Sequence, residues 1–395
     1  MSSNIGFSLK PFIKMNKIIN VSPGPTQLPS SVINSISKDL ENTHWKYGVT
    51  PLEISHRSPE FDNIYSKLHK SVRKFMKIPD DFSILWTQGG GHGQFAAVPL
   101  NMSNFMCKKK ATYVVSGTWS KRAADEGNKY LHAHRICNYP TSVNELTFTS
   151  LPDIINPDKD SSYLYICSNE TVNGLEYIED RNPLPDRNSL NNNKLIVDMS
   201  SDFMTKKVNW NKIDVAFACS SKNLGTAGNT ITIIRKSLIE DLLSSRPTHP
   251  IPGILDWLIY EQTNSLYNTP SVFNLYVTEK LINHYICYYD DILQMEKINK
   301  VKSEMIYDIL GNNPIYKLMV LDKNQQSRMN IPFVVDNMDK FLQHCFENNL
   351  VGLRTKTPFD FNKLNMSEPL RISLYNGITL SETEKICDIL KNYTP

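Results

Sequence analysis

The stretch Val215–Arg235, VAFACSSKNLGTAGNTITIIR, decides how the rest of the chain is read. Val215 to Cys219 is a short apolar run, Gly225 and Gly228 punctuate a turn, and Asn229 to Ile234 is a β-branched run that returns at once. Two neighbouring strands are therefore expected. Lys222 stands in the turn between them, at the mouth of the sheet. A lysine there is either a solvated loop charge, the commoner use, or an amine held for Schiff-base chemistry. Such an amine loses its proton more easily when partly desolvated or near other cations.

Working outward, Leu195–Asp198 (LIVD) reads as a strand that ends in an acid, so Asp198 and Lys222 emerge at the same edge of one sheet. The pair is either an ion pair or the two groups that pyridoxal phosphate needs, an amine for its aldehyde and a carboxylate for its ring nitrogen. Tyr163–Cys167 (YLYIC) is another buried strand, followed by SNETVNG, which puts Thr171 at a strand's C-terminal end, where open α/β sheets bind ligands. Thr112–Val115 leads into SGTWSKRAADEG, with Trp119 at a loop-to-helix junction, either as core or as a flat ring for a planar ligand. Ser83–Thr87 (SILWT) runs into QGGGHGQF, with a helix expected at Gln94–Ala97. Three glycines there can present bare N–H groups to an anion, although neither a P-loop nor a dinucleotide fingerprint is present. Ser58 is an N-cap and Pro59 a first helical residue for an apolar-periodic helix from Phe61 to Phe75, which leaves His56 and Arg57 on the preceding loop. Earlier still, SPGP (Ser22–Pro25) is a turn and Leu28–Ile36 begins a helix.

Downstream, Ser237–Leu243 is read as a helix and Phe273–Tyr289 as a long one whose periodicity continues to Leu310. Strand-like and helical segments then alternate to the end, a second, smaller α+β domain. Arg371, in PLRISLYNG, starts a late strand as a surface residue or as a fork for a carboxylate.

Composition is that of a globular protein: 395 residues, 40% hydrophobic, 21% charged and a formal charge of +3. No dense Lys/Arg block interleaves with aromatics and no apolar run approaches the roughly 18 residues that cross a bilayer, so neither nucleic acid nor membrane is the expected partner. Seven scattered cysteines, with no C-x-x-C, point to reduced thiols and a cytoplasmic protein rather than disulfides or a metal site. Residues 1–16 lack Arg and a clear amphipathic repeat and are read as a disordered extension rather than a targeting segment.

The blocks SPGPTQLP, EISHRSPEF, QGGGHGQFAAVPLNM, SGTWS, SNETVNG, DMSSDF, SKNLGTAG, YNTPSVF, SRMNIPF and RISLYNG, in this order, resemble the phosphoserine aminotransferase family, in the class V branch of the pyridoxal-phosphate-dependent fold-type I enzymes. The resemblance implies an α/β fold. Residues 18–285 would form a large cofactor domain with a mixed, mostly parallel sheet flanked by helices, its first residues packing on the small domain. Residues 286–395 would form that smaller α+β C-terminal domain, and residues 1–17 an extension. It implies that Lys222 carries the cofactor, Asp198 pairs with the ring nitrogen, Trp119 stacks on the ring and Thr171 hydrogen-bonds its 3′-oxygen. Gly91, His92 and Ser221 would hold the cofactor phosphate, with Asn268 and Thr269 reaching in from the partner of a homodimer. Arg371 would take the substrate carboxylate; His56 and Arg57, also from the partner, would take the substrate phosphate. The implied reaction moves the amino group of L-glutamate to 3-phosphohydroxypyruvate in serine biosynthesis.

Three positions depart from that pattern. Ser221 replaces a usual Gln, and His92 replaces an Arg whose contact is largely through the backbone. Between Gly352 and Arg371 a His-Arg pair and two glycines are replaced by a rebuilt loop. There Arg354, Lys356 or Lys363 could supply charge, and Glu368 would repel a dianion if it faced the site. Two rival readings share the blocks: a related aminotransferase for an unphosphorylated 2-oxo acid, which would not need His56 and Arg57, and a dimeric homologue without turnover, which would not need Lys222 and Asp198.

Overall fold

The computed structural model describes residues 17–41, 48–103, 109–137, 150–152, 154–245, 249–354 and 368–395. Counting strands of three residues or more, β1 is Phe82–Gln88, β2 Lys110–Val115, β3 His132–Cys137, β4 Tyr163–Cys167, β5 Lys194–Asp198, β6 Val215–Cys219, β7 Asn229–Arg235, β8 Tyr316–Leu318, β9 Asn330–Val335 and β10 Leu370–Ser373. The helices are α1 Ser30–Glu41, α2 Pro59–Phe75, α3 Gly90–Met102, α4 Thr118–Gly127, α5 Lys236–Ser244, α6 Trp257–Gln262, α7 Val272–Tyr289, α8 Ile292–Asn312, α9 Met338–Glu347 and α10 Leu380–Asn392.

The strands expected within Val215–Arg235 are β6 and β7, paired antiparallel from Thr230 opposite Cys219 to Ile234 opposite Val215. They sit inside a sheet of order β1-β7-β6-β5-β4-β2-β3 in which β7 alone runs against the others. Alternate residues feed opposite faces, as a two-residue repeat requires. Ala216, Ala218, Ile231 and Ile233 join Phe61, Leu68 and Val72 of α2 and Leu275 and Leu281 of α7 in one core. Val215, Phe217 and Ile234 join Phe95 and Val98 of α3 and Ala123 and Ala124 of α4 in the other. A sheet covered on both faces has strands that read as continuous apolar runs, which is why these were visible in the sequence.

A third core gathers Ile306, Phe333, Ile372 and Leu390 around the antiparallel strands β8, β9 and β10, and takes in Ile19 and Val21 from the start of the described chain. Ile19–Asn20 lies parallel to Leu350–Val351. α2 begins as its sequence implied: Ser58 Oγ accepts from the Phe61 amide at 3.3 Å and Pro59 opens the helix.

Two features were not anticipated. β3 is polar, HAHRIC, because it is the edge strand and buries few of its side chains. The periodic stretch from Phe273 to Leu310 is two helices rather than one: Asp290 takes φ +65°, and the Asp291 carboxylate caps α8 through the Leu293 and Gln294 amides. The extension 1–16, Cys107, Lys356 and Lys363 lie outside the described residues. Among those described, no helix is long and apolar enough to cross a membrane, and six cysteines are free thiols.

Candidate active site

Because the strands other than β7 run parallel, the C-terminal ends of β1, β2, β4, β5 and β6 share one edge of the sheet, and the segments that leave them meet there. Gly91, His92, Trp119, Thr171, Asp198, Ser221, Lys222 and Arg371 all line one cavity of about 590 Å³ at this edge. His56 is half-buried, Arg57 and Thr269 are exposed, Asn268 is half-buried, and none of the four lines the cavity of its own chain.

The Thr171 segment is the hub. Thr171 Oγ1 accepts from Lys222 Nζ at 2.8 Å, and its carbonyl accepts from Arg371 at 2.8 Å. The preceding Glu170 is fully buried and accepts from the Trp119 and Ser120 amides at 3.0 and 2.8 Å, while Asn173 accepts from the Thr118 amide at 2.9 Å. These contacts occupy the first turn of α4 and fix where Trp119 stands. Gly117 is required beside them, since a Cβ there would fall 2.5 Å from both side chains. On the opposite wall, Lys222 Nζ lies 5.6 Å from the centroid of the Trp119 ring. The Ser221–Lys222 turn is held by the Ser22–Pro25 segment and its neighbour: Thr26 donates to the Lys222 carbonyl through its hydroxyl at 2.7 Å and to the Ser221 carbonyl through its amide at 3.2 Å.

Asp198 is 3% exposed, with Oδ1 accepting from the Ser200 amide at 2.9 Å and Oδ2 from the Tyr165 hydroxyl at 3.2 Å. Burial pushes its pKa up, against the opposing pull of those hydrogen bonds and of the Lys222 charge. Lys222 departs from expectation. Burial does act against its ammonium, but Tyr375, Cys219, Asp198 and Cys167 outweigh that effect, and its pKa is raised rather than lowered. The groups that outweigh burial are acids, although Arg122, Arg354 and Arg371 line the same cavity. Arg371 is 4% exposed; burial lowers its pKa to about 10, so it remains a cation at neutral pH, and its Nε has no partner among the described residues.

At the end of β1, Gly89 with φ +92° and Gly90 with φ +63° turn the chain into α3, which starts four residues before the helix expected at Gln94. The first amides of α3 have no partner within the helix, so Gly91 and His92 can offer N–H groups at its positive end to an anion. Of the rebuilt loop, Arg354 lines the cavity and pairs with Asp339 at 3.2 Å, whereas Glu368 is exposed and does not line it. Ser200, Tyr165, Glu170 and Asn173 were not singled out from the sequence. Ser200 was readable as the polar residue two past the strand-ending acid; Tyr165 and Glu170 are internal to apolar or polar runs and carry no signal of their own.

The lining brings together a flat ring, Trp119, a buried acid, Asp198, the free amides at the start of α3 and an amine, Lys222. A protonated pyridine aldehyde with a phosphate arm could use all four, the donor set expected of an enzyme that works with pyridoxal phosphate. Comparison with known families narrows the class. The aminotransferase class-V model matches residues 18–386, and the chain belongs to that family. It is 33% identical over 384 residues to a probable phosphoserine aminotransferase of Caenorhabditis elegans, covering 95% of this chain and 96% of the relative. It is 34% identical to a phosphoserine aminotransferase of Buchnera aphidicola, covering 96% and 99%. Among solved structures, a phosphoserine aminotransferase from Trichomonas vaginalis with bound pyridoxal phosphate superimposes with a TM-score of 0.80 at 27% identity, covering 95% of this chain and all of that one. The fold is fold-type I, and the cofactor is pyridoxal 5′-phosphate.

Proposed function

We propose that the protein is a phosphoserine aminotransferase, moving the amino group of L-glutamate to 3-phosphohydroxypyruvate to give O-phospho-L-serine and 2-oxoglutarate. The observation that carries the chemistry is the meeting of Lys222, Asp198, Thr171, Trp119 and Arg371 in one cavity. The substrate rests on the likeness to phosphoserine aminotransferases along nearly the whole chain.

Pyridoxal phosphate supplies the aldehyde that exchanges amino groups and a ring that accepts the electron pair left when a Cα proton departs. Asp198 keeps a proton on the ring nitrogen, which that electron acceptance requires. Trp119 covers one face and excludes water from it. Thr171 holds the ring's 3′-oxygen, and the amides of Gly91 and His92, with the Ser221 hydroxyl, hold the phosphate. Lys222 takes the proton from the substrate Cα as general base and delivers it as general acid to complete the exchange. Arg371 binds the substrate carboxylate, its free Nε and its charge fitting it for a two-point contact.

His56 and Arg57 bind the substrate phosphate, and Asn268 and Thr269 the cofactor phosphate, across a homodimer interface; their position outside their own chain's cavity supports this reading. A cytoplasmic location rests on the free thiols, and recovery in an organelle fraction would overturn it. The proposed substrate is tested by a coupled assay with L-glutamate and three acceptors. The specificity constant is expected to be highest for 3-phosphohydroxypyruvate; a higher value for pyruvate or glyoxylate would remove the assignment.

A further inference from the structure

Beyond the cavity, the molecule holds buried lysines that the chemistry above does not use, and one of them meets backbone carbonyls rather than carboxylates. Lys302, in the middle of α8, is fully buried. Its Nζ donates to the carbonyls of Leu374 at 3.1 Å, Tyr375 at 3.4 Å and Ile378 at 2.9 Å. An ammonium has three hydrogens and meets three carbonyls here; a neutral amine could satisfy two. Burial lowers the Lys302 pKa to about 7, and Glu382 of α10, which favours the charged form, offsets that only in part; the three carbonyl contacts are what favour the ammonium here.

The clamped segment, 374–378, follows β10, the strand that carries Arg371. Its second residue, Tyr375, interacts electrostatically with both Lys222 and Arg371. Asn330 donates to the Tyr375 hydroxyl at 3.3 Å. One turn before Lys302 on α8, Asn299 donates to Asn376 Oδ1 at 3.0 Å and to the Thr205 carbonyl at 3.2 Å. Asn376 in turn donates through its side chain to the Met204 carbonyl at 2.7 Å and through its backbone to Asn223 Oδ1 at 3.0 Å. Asn223 is the residue after Lys222. A continuous set of buried hydrogen bonds therefore runs from α8, through the segment beyond Arg371, to the lysine turn.

We propose that Lys302 is a positioning residue for the reaction: its ammonium, acting with Asn299, fixes the Leu374–Ile378 segment so that Arg371 is held at the right distance from Lys222 to seat the substrate carboxylate. Lys302 touches neither cofactor nor substrate. An apolar lysine substitute would fill the same space while taking the donor from the buried Leu374 and Ile378 carbonyls, the Tyr375 carbonyl keeping the Ile378 amide at 2.9 Å, and the segment would shift to find water. This inference rests on Arg371 being the carboxylate contact.

The test uses the holoenzyme with Lys302→Met, Lys302→Gln and Asn299→Ala. The KM for L-glutamate and for the oxo acid is expected to rise about tenfold or more in Lys302→Met, the scale of effect that misplacing a reactant by an ångström or less produces. The visible absorbance of the bound cofactor should not move, because Lys222 and Asp198 are untouched. Lys302→Gln, which returns two donors, should recover part of the affinity. If Lys302→Met does not fold, Asn299→Ala, which breaks the same network while keeping the ammonium, is expected to raise KM in the same direction. A KM unchanged in every variant that folds, with only thermal stability or the amount of active enzyme reduced, would overturn the proposal and reduce Lys302 to a structural clamp. A wild-type enzyme inactive with every amino donor would instead remove the functional reading on which it rests.

Discussion

Asp198 illustrates how far one side chain's surroundings dictate its use. A carboxylate at 3% exposure with two hydrogen-bond donors is still pushed towards protonation by burial, so it gains from a cation placed against it. Asp198→Asn keeps the shape but cannot keep a proton on a ring nitrogen. The expected outcome in steady-state assays is a fall in kcat of about two decades or more, the usual scale for losing a proton-handling group, with the circular dichroism spectrum retained. A kcat within a few-fold of wild type would contradict its role. At this scale the sequence was informative where a residue stood at a strand end or in a turn: Asp198 ends β5, Thr171 and Lys222 lie just past strands, and Arg371 stands near the start of β10. It was silent on Tyr165 and Ser200, whose roles arise only when β4 and β5 lie side by side, and it misjudged the direction in which its neighbours push Lys222.

Among the elements, α4 has the most exacting boundary. Its first amides donate to Glu170 and Asn173, on a segment some 50 residues further along the chain, rather than within their own turn. Glu170→Gln replaces one acceptor oxygen with an amide donor that faces an N–H group. Unfolding in urea is expected to show a loss of about 1–3 kcal/mol, the cost of a buried donor left unpaired; an unchanged midpoint would show that this cap carries no stability. The central strands were legible because both of their faces are covered and their apolar runs are unbroken. β3 was not, because an edge strand can afford the polar residues of HAHRIC. The break between α7 and α8 left its trace in the Asp290–Asp291 pair, which apolar periodicity on either side concealed.

At the scale of the whole molecule, the cavity on one chain lacks the phosphate-binding residues expected at His56, Arg57, Asn268 and Thr269, which sit elsewhere on that chain. If each site is shared, co-expressing a Lys222→Ala chain with a chain carrying His56→Ala and Arg57→Ala yields a mixed dimer in which one site has lost both functions and the other has kept both. Activity above that of either mutant homodimer is expected; no restoration, with mixed dimers isolated, would place those residues in their own chain's site. The expectation of a shared site came from the resemblance of ten ordered blocks, and the mixed-dimer experiment is what tests it. What those blocks could not convey is the route by which α8 reaches the site, since Lys302 and Asn299 lie in a helix whose sequence reads as ordinary polar and apolar periodicity. The central claim, that this cavity holds pyridoxal phosphate on Lys222, is tested most directly by reducing the holoenzyme with borohydride and mapping the labelled peptide by mass spectrometry. Pyridoxyl modification is expected at Lys222 and should vanish in Lys222→Ala. Labelling at any other lysine in its place, or an adduct that persists in that variant, would contradict the account.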